Sequence, residues 1–216
     1  TIAVALVMWS HWAPKHQFGV DWGRVGVTLF FVLSGFLITG ILLDGRRRKI
    51  PLGRMMRMFY IRRALRILPL FYAVLLIGAL LNGPGIRDAF WWHSLYLSNY
   101  YFFQLGEWWG PASHFWSVAV EEQFYMFWAI LILAAPARMT VAIIFTFIAA
   151  AFIYRTLFVE APLCYYTTPA VMDSLAMGAV LAWMQAAGGR LIRHQGLPLF
   201  LGAGGIALAV IPYPPL

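Results

Sequence analysis

Long apolar runs constrain this chain more than any other feature of its sequence. A helix needs about 20 apolar residues to cross a bilayer. Six runs approach that length: Val25–Leu43, Leu65–Leu81, Phe115–Ala135, Thr140–Phe158, Val171–Ala187 and Leu197–Ile211. Thr1–Trp12 is apolar but shorter, and Trp91–Phe103 is short and aromatic, as interfacial segments are. The runs predict an all-α, polytopic transmembrane helix bundle of about seven helices, organised as one domain over residues 1–216.

Composition excludes an ordinary soluble domain. Charged residues make up 11% of the chain, against about 25% in soluble domains, and hydrophobic residues make up 62%. The single cysteine, Cys164, excludes a disulfide scaffold and a metal site built only from cysteine. The sequence contains no HExxH zinc motif, phosphate-binding loop or dinucleotide-binding motif. We therefore expect no bound metal.

Basic residues predict the orientation. The sixteen Lys and Arg residues bunch between the apolar runs, and nine of them lie between Asp44 and Arg66. When loops are assigned alternately to two sides, twelve fall on one side. Basic loops stay in the cytoplasm, so that side is predicted to be cytoplasmic and the region 82–114 external. Because membrane orientation accounts for the net charge of +8, lipid is an expected partner and nucleic acid is not.

The chain begins at Thr1 inside an apolar run, without a methionine. A signal peptide would carry basic residues before its apolar stretch, so this run is interpreted as a first helix that has been cut short. Pro212, Pro214 and Pro215 follow the last run closely, which favours a cut at that end as well.

Ionisable residues at membrane depth are costly, and they mark candidate functional sites. A neutral imidazole at His11 could act as a base, or the residue could lie at a helix end near water. Ser117, Glu121 and Tyr125 are spaced four apart and share a helix face. A carboxylate there could orient a histidine, hold a cation, or lie at the external interface near a helix N-terminus.

Three further features of the sequence have a functional interpretation, a structural interpretation, or both. Arg62, Arg63 and Arg66 could form an anion site, because guanidinium groups bind phosphate oxygens in pairs, or they could anchor the helix to anionic lipid. Asp173 could cap a helix or face a cavity. His93 lies in or beside a loop and is expected to be solvated.

In combination, these landmarks resemble the acyltransferase-3 family, the O-antigen acetylase-like integral membrane acyltransferases. The resemblance rests on His11 at the end of the first apolar run and on the segments Gly26–Ile38, Phe59–Pro69, His114–Tyr125 and Met172–Gly178. The family fold is a bundle of about ten helices, so about three C-terminal helices are expected to be missing here. An arginine that the family has eleven residues before the histidine would precede Thr1.

Two positions depart from the family's pattern. Thr28 stands where the family usually has Asp, and Val171 stands where it usually has Arg. The two lost charges either compensate each other or mark a different acceptor.

The resemblance implies transfer of an acyl group, usually acetyl, from cytoplasmic acyl-coenzyme A to a hydroxyl of an envelope carbohydrate or a lipid-linked glycan. Acyl-coenzyme A would be a co-substrate, with no bound cofactor, and the protein would lie in a bacterial inner membrane. His11 would be the general base, with Glu121 orienting it, or it would carry the acyl group covalently. The phosphates of the donor would bind Arg62, Arg63 and Arg66. The pocket would include Ser34, Gly35, Ser117, Tyr125 and Asp173, and Gly35 could instead allow close helix packing.

Two other classes of function are weighed against this one. In a transporter, His11, Glu121 and Asp173 would form a proton or ion path, but the sequence shows no internal repeat of the kind that transporters have. In a non-catalytic membrane scaffold, the departures at 28 and 171 would be tolerated.

Overall fold

The computed structural model describes residues 2–12, 21–81, 83, 85–107, 111–161 and 163–188, and within these ranges it leaves the side chains of His11, Trp12 and Pro111 undefined. The described residues contain no strand. They form eight α-helices: α1 (Ile2–Trp12), α2 (Trp22–Arg47), α3 (Leu52–Leu80), α4 (Phe90–Ser94), α5 (Ser98–Leu105), α6 (Phe115–Ala134), α7 (Thr140–Leu157) and α8 (Thr168–Ala186). The prediction of an all-α fold is confirmed. The predicted span Leu197–Ile211 lies outside the described residues.

Four helical stretches are long and apolar enough to cross a membrane: Trp22–Arg47, Leu52–Leu80, Ala112–Ala134 and Ala137–Leu157. Helix α8 covers most of the predicted span Val171–Ala187 but is not one of these four. Its sequence includes Asp173, Ser174 and Gln185, which lower its hydropathy. Because α8 packs mainly against α2 and α7, protein surrounds much of it and compensates for this polarity.

Helix α2 is the central helix of the bundle, since α1, α6 and α8 all pack against it. Two glycines let α2 and α8 touch along their backbones. A Cβ on Gly35 would lie 1.9 Å from the carbonyl oxygen of Leu175, and a Cβ on Gly178 would lie 2.0 Å from that of Val32. Any side chain at either position would force the helices apart, so this crossing depends on glycine.

Helices α1 and α2 run antiparallel. A Cβ on Gly23 would lie 2.6 Å from the Ser10 Oγ, and a Cβ on Gly26 would lie 2.7 Å from the carbonyl oxygen of Ala3. Residue numbers on α1 therefore fall as those on α2 rise. The C-terminal end of α1 is level with the N-terminal end of α2.

Polar contacts fix α6 against α2 inside the apolar core. The indole Nε1 of Trp128 donates a hydrogen bond of 2.8 Å to the Thr39 Oγ1, and both residues are fully buried. Near the end of α6, Arg46 donates to the carbonyl oxygens of Ile132 and Ala135. The last carbonyls of a helix have no partner within it and carry partial negative charge. Arg46 thus caps α6, so at least one arginine of the cytoplasmic group has a packing role.

The segment between α3 and α6 contains α4 and α5 and lies on the predicted external side. The expectation that His93 is solvated is wrong, because its side chain is completely buried. The Gly85 carbonyl can only accept, so His93 Nε2 carries the proton and donates to it at 3.1 Å. The neutral Nδ1 then accepts from the Ser98 hydroxyl at 2.8 Å. His93 therefore ties this segment together.

Candidate functional site

One cluster contains every buried side-chain nitrogen or oxygen that lacks a hydrogen-bond partner in the described part of the chain. These atoms are Nε of Arg63, the hydroxyl of Tyr96, Oε1 of Glu121 and Oε1 of Glu122. Nearly all buried polar groups in folded proteins are hydrogen-bonded, so an unpartnered one calls for an explanation. Four such atoms in one place indicate a site that takes up a polar group.

Glu121 is anchored between α2 and α6. Its residue is 7% exposed, and its carboxylate is within hydrogen-bonding reach of the hydroxyls of Ser34 and Tyr125. Those two hydroxyls also hydrogen-bond each other. Ser34 lies at the middle of α2, and Glu121 lies near the middle of α6. The cluster therefore sits at mid-length of two membrane-capable helices, where an ionisable group is most costly.

Arg63 enters the cluster from α3. Its Nε is 3.6 Å from Oε1 of Glu122, and its guanidinium carbon lies 3.3 Å from the centroid of the Tyr125 ring. The aromatic face attracts the cation, and the carboxylate balances its charge. The prediction that Arg63 belongs with Arg62 and Arg66 in one anion site is wrong, because Arg63 points into the bundle and is already paired.

Tyr96, in the segment between α4 and α5, contributes the fourth unpartnered atom, and its backbone carbonyl is bound by the residue that follows Glu122. Its ring stacks on Phe71, with centroids 4.5 Å apart. Its backbone has a φ of +55°, in the left-handed region that bulky residues rarely adopt. Tyr96 directly follows the C-cap residue of α4, a place where a left-handed residue commonly ends a helix. No residue pattern in the sequence singled out Tyr96.

A polar network holds Tyr96 in place. The side-chain amide of Gln123 donates to the Tyr96 carbonyl at 2.6 Å and to Asn99 Oδ1 at 3.0 Å. Asn99 in turn donates to the Thr168 hydroxyl at 3.0 Å, which donates to Gln123. The network ties α5, α6 and α8 together. Because Gln123 follows Glu122 directly on α6, it also fixes the position of Tyr96 relative to the glutamates.

Arg62 and Arg66 remain exposed one turn apart on α3. Neither forms an ion pair or hydrogen bond with another residue in the part of the chain that the structure describes. Two unpaired guanidinium groups at this spacing can bind one phosphate group or two neighbouring ones. Of the predicted arginine triplet, this pair keeps the capacity to bind an anion.

Asp173 is engaged in an ion pair with α7. Its carboxylate lies 2.7 Å from the guanidinium of Arg155, and both side chains are largely buried. Asp173 is the sixth residue of α8, and Thr167 occupies the N-cap position, so the capping interpretation is wrong. The predicted pocket role of Asp173 is not supported, since Arg155 takes up its charge. A single arginine late in an apolar run requires such a partner, and that signal was available in the sequence.

The two departures from the family pattern lie on facing helices. Gly35 meets Leu175 across the interface of α2 and α8, and Gly178 meets Val32 and Phe36. In this register, Thr28 is level with Val171. An Asp and an Arg at these two positions would be neighbours, so their joint replacement removes two opposite charges from the same place.

The two residues predicted to be catalytic lie at different levels. His11 directly follows Ser10, which faces Gly23, near the start of α2. Ser34, beside Glu121, is eleven residues further along α2, or about 17 Å at about 1.5 Å per residue. The His11 side chain lies outside the described part of the structure. The predicted contact between Glu121 and His11 therefore stays a prediction.

Ser117 also departs from its predicted setting. Its hydroxyl donates to the His114 carbonyl at 3.1 Å, so it serves the start of α6. In the described residues, no group of three or more His, Cys, Asp or Glu side chains could hold a metal ion.

A groove of about 500 Å³ lies away from the cluster, between the C-terminal halves of α2 and α8. Arg47 and Asp44 line it, and they are 3.5 Å apart. Asp44 also pairs with Arg48 at 2.7 Å, so a single carboxylate is shared by two arginines at the edge of this groove.

Comparison with known proteins gives consistent matches. The model of the acyltransferase-3 family, described as an acyltransferase domain, matches residues 1–213. The peptidoglycan O-acetyltransferase OatA of Listeria monocytogenes is 34% identical over 51% of this chain and 20% of its own length. The putative peptidoglycan O-acetyltransferase YrhL of Bacillus subtilis is 32% identical over 74% of this chain and 28% of its own length.

An uncharacterized protein of Haemophilus influenzae is 27% identical over 71% of this chain and 72% of its own length. The chain spans less than a third of the length of the two named relatives. No solved structure gives a significant match.

Proposed function

Because the chain belongs to the acyltransferase-3 family, we propose that it is the membrane part of an O-acyltransferase. The acyl group, most simply acetyl, passes from acyl-coenzyme A to a hydroxyl of a cell-envelope glycan in a bacterial inner membrane. Relatives named as peptidoglycan O-acetyltransferases support this class of acceptor. Four membrane-capable helices support the membrane location.

The observation that carries the proposal is the cluster of unpartnered polar atoms at mid-length of α2 and α6. Without a polar ligand, two glutamates, an arginine and a tyrosine with unmet hydrogen bonds would destabilise a membrane protein at this depth. Acyl transfer needs such a place, because a glycan hydroxyl must leave water and be held next to the thioester.

The proposed reaction forms one bond, breaks one bond and moves one proton. The acceptor oxygen forms a bond with the acyl carbon, the carbon–sulfur bond breaks, and the hydroxyl proton passes through a base to the departing thiolate. The thioester is already activated, so positioning and one proton transfer are sufficient. No bound cofactor is required, and acyl-coenzyme A is a co-substrate.

The base in this proposal is His11, because a neutral imidazole accepts a proton near neutral pH. Glu121 has a separate role in this proposal, since it contacts Ser34, which lies about 17 Å by the helix rise beyond the residue of α2 that faces Ser10. Together with Ser34 and Tyr125, it contributes to the cluster that holds a substrate. The donor's phosphates bind Arg62 and Arg66, which are exposed and unpaired among the described residues.

The test is transfer of label from acetyl-coenzyme A, labelled in the acetyl group, to envelope glycans. It uses membranes that contain the full-length polypeptide carrying this sequence, and the same polypeptide with His11→Ala at equal expression. We expect labelled glycan with the unmodified polypeptide. The His11→Ala variant should give at least a hundredfold less label, which is the typical contribution of general-base catalysis.

Two other outcomes would change the proposal. Persistent transfer by His11→Ala would keep the enzyme but assign the base to another residue. No transfer from any of several acyl donors by a well-folded protein would overturn the acyltransferase and favour the transporter or the scaffold.

A further inference from the structure

We propose that Tyr96, together with Glu122, binds a hydroxyl group of the acceptor glycan inside the bundle. This inference rests on the proposed function, because it names which substrate the cluster receives. It assigns the cluster to the acceptor, and it leaves the donor's phosphates to the exposed arginines on α3. Tyr96 acts here as a binding residue for the substrate.

The unmet hydrogen bonds of the cluster match an alcohol. A hydroxyl donates one hydrogen bond and accepts up to two. The unpartnered carboxylate oxygens of Glu121 and Glu122 can only accept when ionised, while Arg63 Nε can only donate and the Tyr96 hydroxyl can do either. A hydroxyl placed among them donates to a glutamate and accepts from Tyr96 or Arg63. A phosphate, which only accepts, would face two carboxylates.

The separation of Arg63 and Glu122 leaves room for this group. The distance of 3.6 Å between Nε and Oε1 is beyond a normal hydrogen bond. Arg63 therefore balances the charge of Glu122 without using up its hydrogen-bonding capacity. Glu121 is 7% exposed and likewise keeps one oxygen free. The charge of Glu122 is thus balanced, and each of the two glutamates keeps one oxygen available for a hydrogen bond.

Tyr96 is held in its position at a conformational cost. Its φ of +55° is unfavourable for a tyrosine. Its N–H donates to the His93 carbonyl at 3.0 Å, and Gln123 holds its carbonyl at 2.6 Å. These contacts fix the backbone of Tyr96 beside α6, and its ring stacks on Phe71. The left-handed conformation itself belongs to the end of α4, where the Leu97 N–H also donates to the Trp92 carbonyl at 2.8 Å.

The phenol of Tyr96 stays protonated. Burial raises its pKa, and the negative charge of Glu122 and the neighbouring Tyr72 raise it further. Tyr96 is therefore a permanent donor at any physiological pH, which suits a residue that binds a neutral hydroxyl. Since its segment lies on the predicted external side, the acceptor is the substrate that Tyr96 meets.

A sugar carries several hydroxyls, so one can be held here while another faces the base. The experiment measures steady-state kinetics of acetyl transfer to soluble peptidoglycan fragments by the full-length polypeptide in nanodiscs. Tyr96→Phe removes only the hydroxyl. We expect its KM for the fragments to rise about tenfold, the loss of one hydrogen bond at a buried site. The KM for acetyl-coenzyme A should stay within about twofold.

The matched control is Tyr101→Phe. Tyr101 lies in the same segment and contacts Trp92, His93 and Phe102 through its ring, so this variant also loses one phenolic hydroxyl. We expect its kinetics to match the unmodified protein. Equal melting temperatures of the two variants would show that the fold is intact.

An unchanged KM for the fragments in Tyr96→Phe would overturn this inference and leave the proposed function standing, with water as the occupant of the cluster. A rise in the KM for acetyl-coenzyme A instead would assign Tyr96 to the donor. If no transfer occurs at all, the proposed function fails. Equilibrium binding of radiolabelled fragments, without acetyl-coenzyme A, then decides about Tyr96: weaker binding by Tyr96→Phe than by Tyr101→Phe supports the inference, and equal binding refutes it.

Discussion

At the scale of single residues, His93 is a buried histidine that folding keeps neutral. Burial lowers its pKa, the hydrogen bond to Gly85 partly opposes this, and the charge of His114 lowers it further. In the unfolded chain its pKa is about 6.5. Above that pH neither state binds a proton, so the full stability is present. As the pH falls below it, the unfolded state takes up a proton that the folded state resists, and stability is lost.

The first prediction therefore concerns stability against pH. We expect the melting temperature of the detergent-solubilised protein to fall between pH 7.5 and pH 5.5. In His93→Gln it should be lower at pH 7.5, since a buried hydrogen bond is lost at about 1–3 kcal/mol, but should vary less with pH. His114→Gln, at an exposed position, is the control and should keep most of the slope. An unchanged slope in His93→Gln would show that other groups cause the dependence.

Tyr96 and His93 show what a sequence alone cannot reveal about single residues. Tyr96 is an ordinary aromatic residue in an aromatic segment, and only the structure shows that it ends α4 in a left-handed conformation with its carbonyl held by Gln123. His93 is buried because Ser98 and Gly85 supply partners for its ring. Both features depend on contacts that no spacing rule describes. Glu121 was predictable, since a carboxylate in an apolar run is costly wherever its partners lie.

At the scale of secondary-structure elements, α3 places its three neighbouring arginines in two different environments. Arg63 faces Glu122 and Tyr125 on α6, whereas Arg62 and Arg66 are exposed. Helical spacing showed that Arg62 and Arg66 share a face. It could not show that Arg63 turns toward a glutamate, because that depends on how α3 packs against α6.

The second prediction follows from this division. Replacing Arg62 and Arg66 together by Gln should raise the KM for acetyl-coenzyme A by about ten- to a hundredfold, as expected for loss of two charge-assisted hydrogen bonds to phosphate. The double variant Arg54→Gln/Arg57→Gln removes two exposed charges from the same helix and should change the KM little. Equal effects in the two variants would indicate general attraction to anionic lipid or donor.

Hydropathy predicted most helices well, because a helix that crosses a bilayer must be both long enough and apolar. The predicted runs for α6 and α7 agree with the observed helices to within one residue at each end, whereas α2 extends three to four residues beyond its run at both ends. Helix α3 begins earlier than its apolar run, at Leu52, and takes in the arginine-rich stretch. Hydropathy does not detect this earlier start, because it identifies only the apolar part of a helix.

At the scale of the whole molecule, polar groups are placed at two depths along α2. His11 is level with the start of α2, through the contact of Ser10 with Gly23. The cluster around Glu121 is level with Ser34, at the middle of α2. The sequence order of His11 and Glu121 gave no indication of this separation. It follows from the glycine-mediated packing of α1 on α2 and from the hydroxyl contact between Ser34 and Tyr125.

The central claim is that this site transfers an acyl group with two separate parts, a base at His11 and a substrate-binding cluster at Glu121. The most direct test is a double-mutant cycle on acetyl transfer, with His11→Gln, Glu121→Gln and both together, each at matched expression. Residues more than about 10 Å apart act additively in free energy, so we predict that the double variant loses activity by the product of the two single losses. A double variant no slower than the slower single variant would show that the two residues act as one unit, and would contradict the separation of the site into two parts.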